Sequence, residues 1–370
     1  MTFSGMRVCL VGPLPPPAGG MANQTRQLAE LLRSEGATVD LVQVNAPYRP
    51  AWVARLRGLR ALFRQVPYLV RLWGTVGKTD VVHVMANSGW SWHLFAAPAV
   101  RLASWRGTPV VVNYRGGEAG AFLQHAAPRV RRTMRLSSGL LLPSAFLQEL
   151  FARHGMPGRV VPNIIDLHRF RPDPAHKSNL GASQVLIARN LEPIYGIDVA
   201  LRAMARLHPR HPELRLVVAG SGPQRDELAA LAQALGITEQ VRFTGRLDRD
   251  EMAALYRECA LSINPSHVDN MPNSVLESMA SGVPVVSTDV GGVPFIVTHE
   301  RTALLVPRAD DTAMAAAVER LIDDQALYER LRCAGLAEVQ HYRWEAVRGL
   351  LLSAYREAIQ TAGPRAQHTA

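Results

Sequence analysis

The chain has little cysteine, and what it has is scattered. Its three cysteines, Cys9, Cys259 and Cys333, show neither metal-ligand spacing nor a disulfide framework, which points to a reducing cytoplasm. Cys9 lies in an apolar run and reads as a small core residue. Long hydrophobic runs are also missing. "MTFSGMRVCLVG" lacks the apolar region of a signal peptide. The stretch Val81 to Val100 is free of Asp, Glu, Lys and Arg but is interrupted by His83, Asn87, Ser88, Gly89, His93 and Pro98, so no membrane span is expected. No internal repeat or low-complexity tract is present, and only the tail from Gly363 reads as disordered. No carboxylate cluster is arranged to hold a divalent ion.

Acidic residues are scarce in the first half. Residues 1–165 hold 6 Asp and Glu against 19 Lys and Arg, whereas the remainder holds 25 against 22. Solubility does not require such segregation. It suggests an anionic partner for the first half: a membrane surface, a nucleic acid or a phosphorylated substrate. The segment Ala51 to Lys78 carries six basic residues, Arg55, Arg57, Arg60, Arg64, Arg71 and Lys78, and no acidic one. Leu56, Leu59, Leu62 and Phe63 recur at helical spacing there, so its first part reads as a basic amphipathic helix broken near Pro67. Such a helix suits an anionic membrane surface or, equally, an ordinary domain helix with one solvated face. Trp73, Trp90, Trp92 and Trp105 are concentrated in the same half.

What is present fits a globular protein of two domains. The chain has 370 residues, 48% of them hydrophobic and 19% charged, which is long for a single core. Short β-branched runs alternate with amphipathic ones. "RVCLVG", "ATVDLVQV", "DVVHVM", "TPVVVNY" and "SGLLLPS" read as strands in the first half; "SQVLIAR", "LRLVVAG", "VRFTG", "ALSINPS" and "VPVVSTD" do so in the second. Alternation of this kind predicts two α/β domains, each with a parallel sheet covered on both faces. The boundary falls near Pro162 to Asn179, where periodicity is lost, giving domains over residues 1–165 and 166–342.

Two places carry chemistry. "GPLPPPAGGMANQTRQLAELL" (Gly12 to Leu32) is a strand-to-helix turn in which Gly19 and Gly20 let backbone N–H groups approach an anion, if it is more than an ordinary glycine loop. "INPSHVDNMPNSVLESMASGVPVVSTDVGGVPFIV" (Ile263 to Val297) ends a strand, crosses a polar loop and starts a helix near Asn273 or Ser274. Ligands of open parallel sheets bind at that edge. Asp269 and Glu277 are carboxylates there. Glu277 is placed either to accept hydrogen bonds from ribose hydroxyls or to complete a capping box with Ser274.

With "AGG" at 18–20, "PNIIDLHRF", "ARNLEPIYGIDVALRAM" and "VVAGSGP", this segment resembles glycosyltransferase family 4 along nearly the whole chain. The resemblance implies a retaining enzyme of GT-B fold: two Rossmann-like domains facing across a cleft, the first binding the acceptor, the second a nucleotide-diphosphate sugar. A last helix, residues 343–360, would cross back to the first domain. Gly19 and Gly20 would contact the donor diphosphate and sugar, and Arg189 would neutralise the diphosphate. Gly220 and Gly222 would line the donor pocket, with Gly245, Arg246 and Leu247 at the nucleobase. Asn270, Met271, Pro272, Asn273, Ser274 and Val275 would cradle sugar and phosphates, Glu277 the ribose, and Asp269 the donor-sugar hydroxyls. Asp269, Glu277 and Arg189 are the catalytic candidates.

The chain departs from the family at four places. Asp269 stands for a glutamate, Tyr195 for a lysine, Phe295 for a glutamate, and Arg115 for an acceptor-side histidine. Arg115 cannot act as a base but can bind a phosphate. His83 and His93 read as structural. The expectation is a cytoplasmic glycosyltransferase, peripheral on the inner face of the membrane, with a lipid-linked or saccharide acceptor in polysaccharide or glycolipid synthesis. No cofactor or metal is expected, and no nucleic acid, since no base-reading module accompanies the basic half. The alternative is a nucleotide-sugar-binding protein without transfer activity.

Overall fold

The computed structural model describes residues 2–16, 19–48, 60–173 and 184–362. By contacts the chain forms two compact units, Met1–Ile164 with Trp344–Ala370, and Ile165–Arg343.

The first unit runs β1 (Arg7–Gly12), α1 (Gly20–Ser34), β2 (Thr38–Gln43), α2 (Arg60–Val76), β3 (Val81–Ala86), α3 (Gly89–Ser91), α4 (Ala97–Trp105), β4 (Val110–Tyr114), α5 (Ala119–Met134), β5 (Gly139–Leu142), α6 (Ala145–Arg153) and β6 (Arg159–Val160). The strands pair in parallel in the order β2-β1-β3-β4-β5-β6. β3 is buried at every position, as a strand covered on both faces must be. Val82 and Val84 pack with Tyr68, Leu72, Val100 and Phe151 on one side. Val81 packs with Leu28 and Leu32 on the other. That second face is completed by the last helix, α13 (Trp344–Thr361), through Val347, Leu351 and Tyr355.

The second unit runs β7 (Gln184–Ala188), α7 (Ile197–Leu207), β8 (Arg215–Ala219), α8 (Arg225–Ala234), β9 (Val241–Gly245), α9 (Arg249–Glu258), β10 (Leu261–Asn264), α10 (Asn273–Ala280), β11 (Val285–Thr288), β12 (Leu304–Val306), α11 (Asp311–Asp323) and α12 (Gln325–Glu338). Its parallel order is β12-β11-β10-β7-β8-β9. The chain winds outward from β7 in one direction and from β10 in the other. The crevice for a ligand therefore opens at the carboxyl ends of β7 and β10. The equivalent switch in the first sheet lies between β1 and β3.

Two expectations are corrected or extended. α2 is not broken at Pro67 but runs through it. Proline forfeits one backbone hydrogen bond, yet Tyr68, Leu72 and Val76 are buried one turn apart. The Tyr68 hydroxyl donates to the Phe95 carbonyl at 2.8 Å, and this packing outweighs the lost bond. The sheets also gain one unforeseen edge strand each, β6 and β12, two and three residues long. Of the expected basic helix, Arg55, Leu56, Arg57 and Leu59 lie outside the described residues, as does the tail from Gly363. Among the described residues no helix is long and apolar enough to cross a membrane.

Candidate functional site

β7 ends in an apolar run, and Arg189 follows it immediately at the switch crevice of the second sheet. Asn264 is the last residue of β10 on the neighbouring strand. Arg189 Nε and Nη2 donate to Asn264 Oδ1 at 2.9 and 2.7 Å. Nη2 also donates to Asp269 Oδ2 in an ion pair. The guanidinium lies 5.2 Å from the ring centroid of Tyr195, so Tyr195 supports the arginine through its ring face. The single Ser266 hydroxyl proton has two acceptors, Asn264 Oδ1 at 2.8 Å and Asp269 Oδ2 at 3.3 Å.

Asp269 is buried, and burial pushes its pKa up. Arg189, the Ser266 hydroxyl and the N–H groups of Asn270 and Met271 pull against that rise. The loop bearing it is clamped from behind. Gly292 N donates to the Asp269 carbonyl at 2.8 Å. A Cβ on Gly292 would sit 1.8 Å from the Asn270 carbonyl, and one on Gly291 2.1 Å from that of Asp269. The loop comes so close that only glycine fits opposite it.

α10 starts at Asn273 with Pro272 before it and no side-chain cap. Ser274 therefore lies inside the helix, and the capping-box alternative for Glu277 is overturned: the helix begins too early for Ser274 to cap it. Burial pushes Glu277 up to about 7, against the pull of Arg249, Arg189 and a hydrogen bond from Tyr256. The single Tyr256 proton has two acceptors here, the Glu277 carboxylate and the Ser274 carbonyl at 3.1 Å. Asn270, Met271 and Pro272 form the loop before the helix; Asn273, Ser274 and Val275 make its first turn.

The glycines after β8 are packed against the segment that follows β7. A Cβ on Gly220 would meet the Arg189 carbonyl at 1.8 Å, and one on Gly222 the Leu191 carbonyl at 2.3 Å. Gly220 N donates to the Gly245 carbonyl at 2.8 Å, joining the ends of β8 and β9. Arg246, just beyond, is exposed and Leu247 partly buried. The structure thus gathers Arg189, Asp269, Gly220, Gly222, Gly245 and Glu277 along one edge of the second sheet. Sequence reasoning missed Asn264, Ser266, Tyr256 and the Gly291–Gly292 pair. The polar "NPS" ending an apolar strand and the glycine doublet were the available signals.

Gly19, Gly20 and Arg115 belong to the first unit. Gly19 precedes α1 in extended conformation, and no side chain caps the helix. Among the described residues nothing lies within 4 Å of a Cβ placed there, so their packing does not call for glycine at this point. It does at Gly12, where a Cβ would meet Thr25 Oγ1 at 2.8 Å. Arg115 follows β4 and is bonded to three amide side chains. His83 is fully buried, its Nδ1 2.8 Å from the Tyr355 hydroxyl. Burial and Arg115 hold its pKa down at about 3, so it is a neutral core residue.

Residues 170–336 match the model of the glycosyl transferases group 1, and residues 19–163 that of the glycosyl transferase 4-like domain. The chain is 30% identical to the glycogen synthase of Mycobacterium tuberculosis over 73% of its own length and 67% of that protein. It is 26% identical to the phosphatidyl-myo-inositol mannosyltransferase of Mycobacterium leprae over 98% and 99% of the two chains. Among solved structures, HepE of Anabaena in complex with UDP-glucose superposes with a TM-score of 0.72 at 17% identity, covering 96% of this chain and 99% of that one.

Proposed function

Because the chain belongs to the glycosyl transferases group 1, with a glycosyl transferase 4-like domain ahead and the GT-B fold, we propose that it moves a sugar from a nucleotide-diphosphate donor to a lipid-linked or saccharide acceptor with retention of configuration. The observation that carries this reading is the cluster of Arg189, Asn264 and Asp269 at the switch crevice of the second sheet, with Glu277 beside it. A guanidinium fixed by two neighbours is a ready partner for a diphosphate. The N-terminus of α10 adds partial positive charge. Asp269 accepts from hydroxyls of the donor sugar and Glu277 from those of the ribose. The acceptor oxygen attacks the anomeric carbon from the face that the diphosphate leaves. A departing phosphate oxygen takes the acceptor's proton, so the step needs no protein base. Developing charge on the leaving group is met by Arg189 and helix N–H groups in the role a cation plays elsewhere.

The acceptor classes are suggested by the relatives, one named for glycogen and one for phosphatidyl-myo-inositol. Attachment to the inner membrane face is supported by α2, whose Phe63, Val66, Val70 and Trp73 are exposed along one face. The Trp73 and Trp105 rings lie 4.9 Å apart, and Arg106 sits 4.5 Å over Trp73. Aromatic rings flanked by arginine suit a lipid–water interface. A melting-temperature screen over nucleotide-diphosphate sugars tests the donor. One of them should raise the transition by several degrees at saturating concentration, and no shift with any of them would contradict the reading.

A further inference from the structure

We propose that the first unit carries a subsite for an oxyanion of the acceptor, a phosphate or carboxylate group, centred on Arg115. The inference rests on the reading of the chain as a transferase with its acceptor on this unit.

Arg115 stands directly after β4, at the ligand-binding edge of an open parallel sheet. Its backbone N–H donates to the Ala86 carbonyl at 2.9 Å, fixing it at the end of β3 as well, beside the switch crevice. Nε donates to Asn113 Oδ1 at 3.1 Å. Nη1 donates to Asn163 Oδ1 and, at 3.5 Å, to Gln24 Oε1. Gln24 is itself held, since its Nε2 donates to the Ile164 carbonyl at 3.0 Å and its Oε1 accepts from Ile164 N at 3.3 Å. All three acceptors are neutral amides. Among the described residues no carboxylate pairs with this guanidinium and no acceptor meets Nη2. The nearest acidic residue along the chain, Glu118, is exposed.

Arg189, which also follows a strand, shows the contrast, because its partly buried guanidinium has Asp269. Elsewhere Arg159, Arg206 and Arg348 each meet a carboxylate even on the surface. A half-buried cation held only by neutral amides has given up part of its water without gaining a counter-ion, an arrangement that costs stability until an anion arrives. Burial lowers the guanidinium pKa to about 10, so the charge persists at neutral pH. His83 alongside stays uncharged, leaving one full positive charge. α1 begins one turn before Gln24 and has no acidic residue in its first turn, so its N-terminal field adds to that of Arg115.

The test titrates wild type, Arg115→Gln and Arg115→Lys with inorganic phosphate, glucuronate and uncharged glucose by calorimetry, with and without saturating nucleoside diphosphate. At least one anion should bind wild type about tenfold or more tighter than Arg115→Gln, with Arg115→Lys between them and glucose the same for all. A response to phosphate alone assigns a phosphorylated acceptor; a response to glucuronate alone assigns a uronate-bearing one. Without anion, Arg115→Gln should melt at or above the wild-type temperature, since it removes an uncompensated charge and Gln can rejoin the amides. The proposal is overturned if neither anion binds wild type or if both bind Arg115→Gln equally. It also falls if Arg115→Gln weakens the nucleoside diphosphate itself, which would assign the residue to the donor. Absence of nucleotide-sugar binding in wild type would count against the donor reading instead, because the titrations without nucleotide still report on the subsite.

Discussion

Arg189 and Asp269, 80 residues apart, form an ion pair in which Nη2 of one donates to Oδ2 of the other. Both side chains are about nine-tenths buried. The pair joins the group that would meet the donor diphosphate to the group that would meet its sugar.

Removing a single partner should be worse than removing both. Arg189→Gln leaves Asp269 buried without its cation, an expected loss of roughly 3–5 kcal/mol. Adding Asp269→Asn should recover much of that stability while donor turnover stays abolished. Denaturant unfolding of Arg189→Gln, Asp269→Asn and the double variant measures the difference, and strictly additive losses would contradict the coupling.

Glu277 should be a site where stability and function oppose each other. Its folded pKa, about 7, lies above its ordinary value of 4.5. Between those values the unfolded chain loses the proton and the folded one keeps it, so stability falls as pH rises from 4.5 to 7 and then levels off. Glu277→Gln should therefore be more stable than wild type at pH 8, by roughly 1–3 kcal/mol for a partly buried carboxyl. The gain should vanish near pH 4.5, while donor affinity falls about tenfold. Melting curves across pH check the first claim and calorimetry the second.

Two glycines should respond in opposite directions to alanine. Gly292→Ala drives a Cβ onto the Asn270 carbonyl and should cost about 1–3 kcal/mol together with donor binding. Gly349→Ala lies within α13, where nothing among the described residues stands within 4 Å of the new Cβ. It should stabilise by about 0.5–1 kcal/mol. Equal melting shifts for both would contradict the packing described for the 269–270 loop.

The strands were legible because buried parallel strands are nearly unbroken apolar runs, as "VCLV" and "VLIA" are. β6 and β12 were not, since two or three residues show no periodicity. Local signals misled where packing at a distance decided. Pro67 reads as a breaker, but Tyr68, Leu72 and Val76 anchor the helix through it. Ser274 and Glu277 have capping spacing, yet the helix starts earlier. Arg189 and Asp269 were each recognisable in the sequence, but their pairing comes from the β7–β10 adjacency, which no local pattern carries.

The exposed face of α2 should bind anionic vesicles. Wild type is expected to pellet with them at low salt and to be released as salt rises, each basic residue contributing about 1 kcal/mol. Val66→Glu with Val70→Glu should abolish pelleting and leave donor binding unchanged. Retention of wild type in the supernatant at low salt would point to a soluble acceptor.

Transfer should also persist in excess chelator, because Arg189 and helix N–H groups are assigned the leaving diphosphate. Loss of activity restored by magnesium or manganese would overturn that assignment.

The most direct test of the whole account is time-resolved proton NMR of the chain with an α-linked nucleotide sugar, UDP-glucose first, and a lipid-linked or saccharide acceptor. The account predicts release of nucleoside diphosphate with formation of an α-linked product, both lost in Arg189→Gln. A β-linked product would contradict the same-face mechanism, and intact donor across the whole nucleotide-sugar panel would contradict the assignment of sugar transfer from such donors.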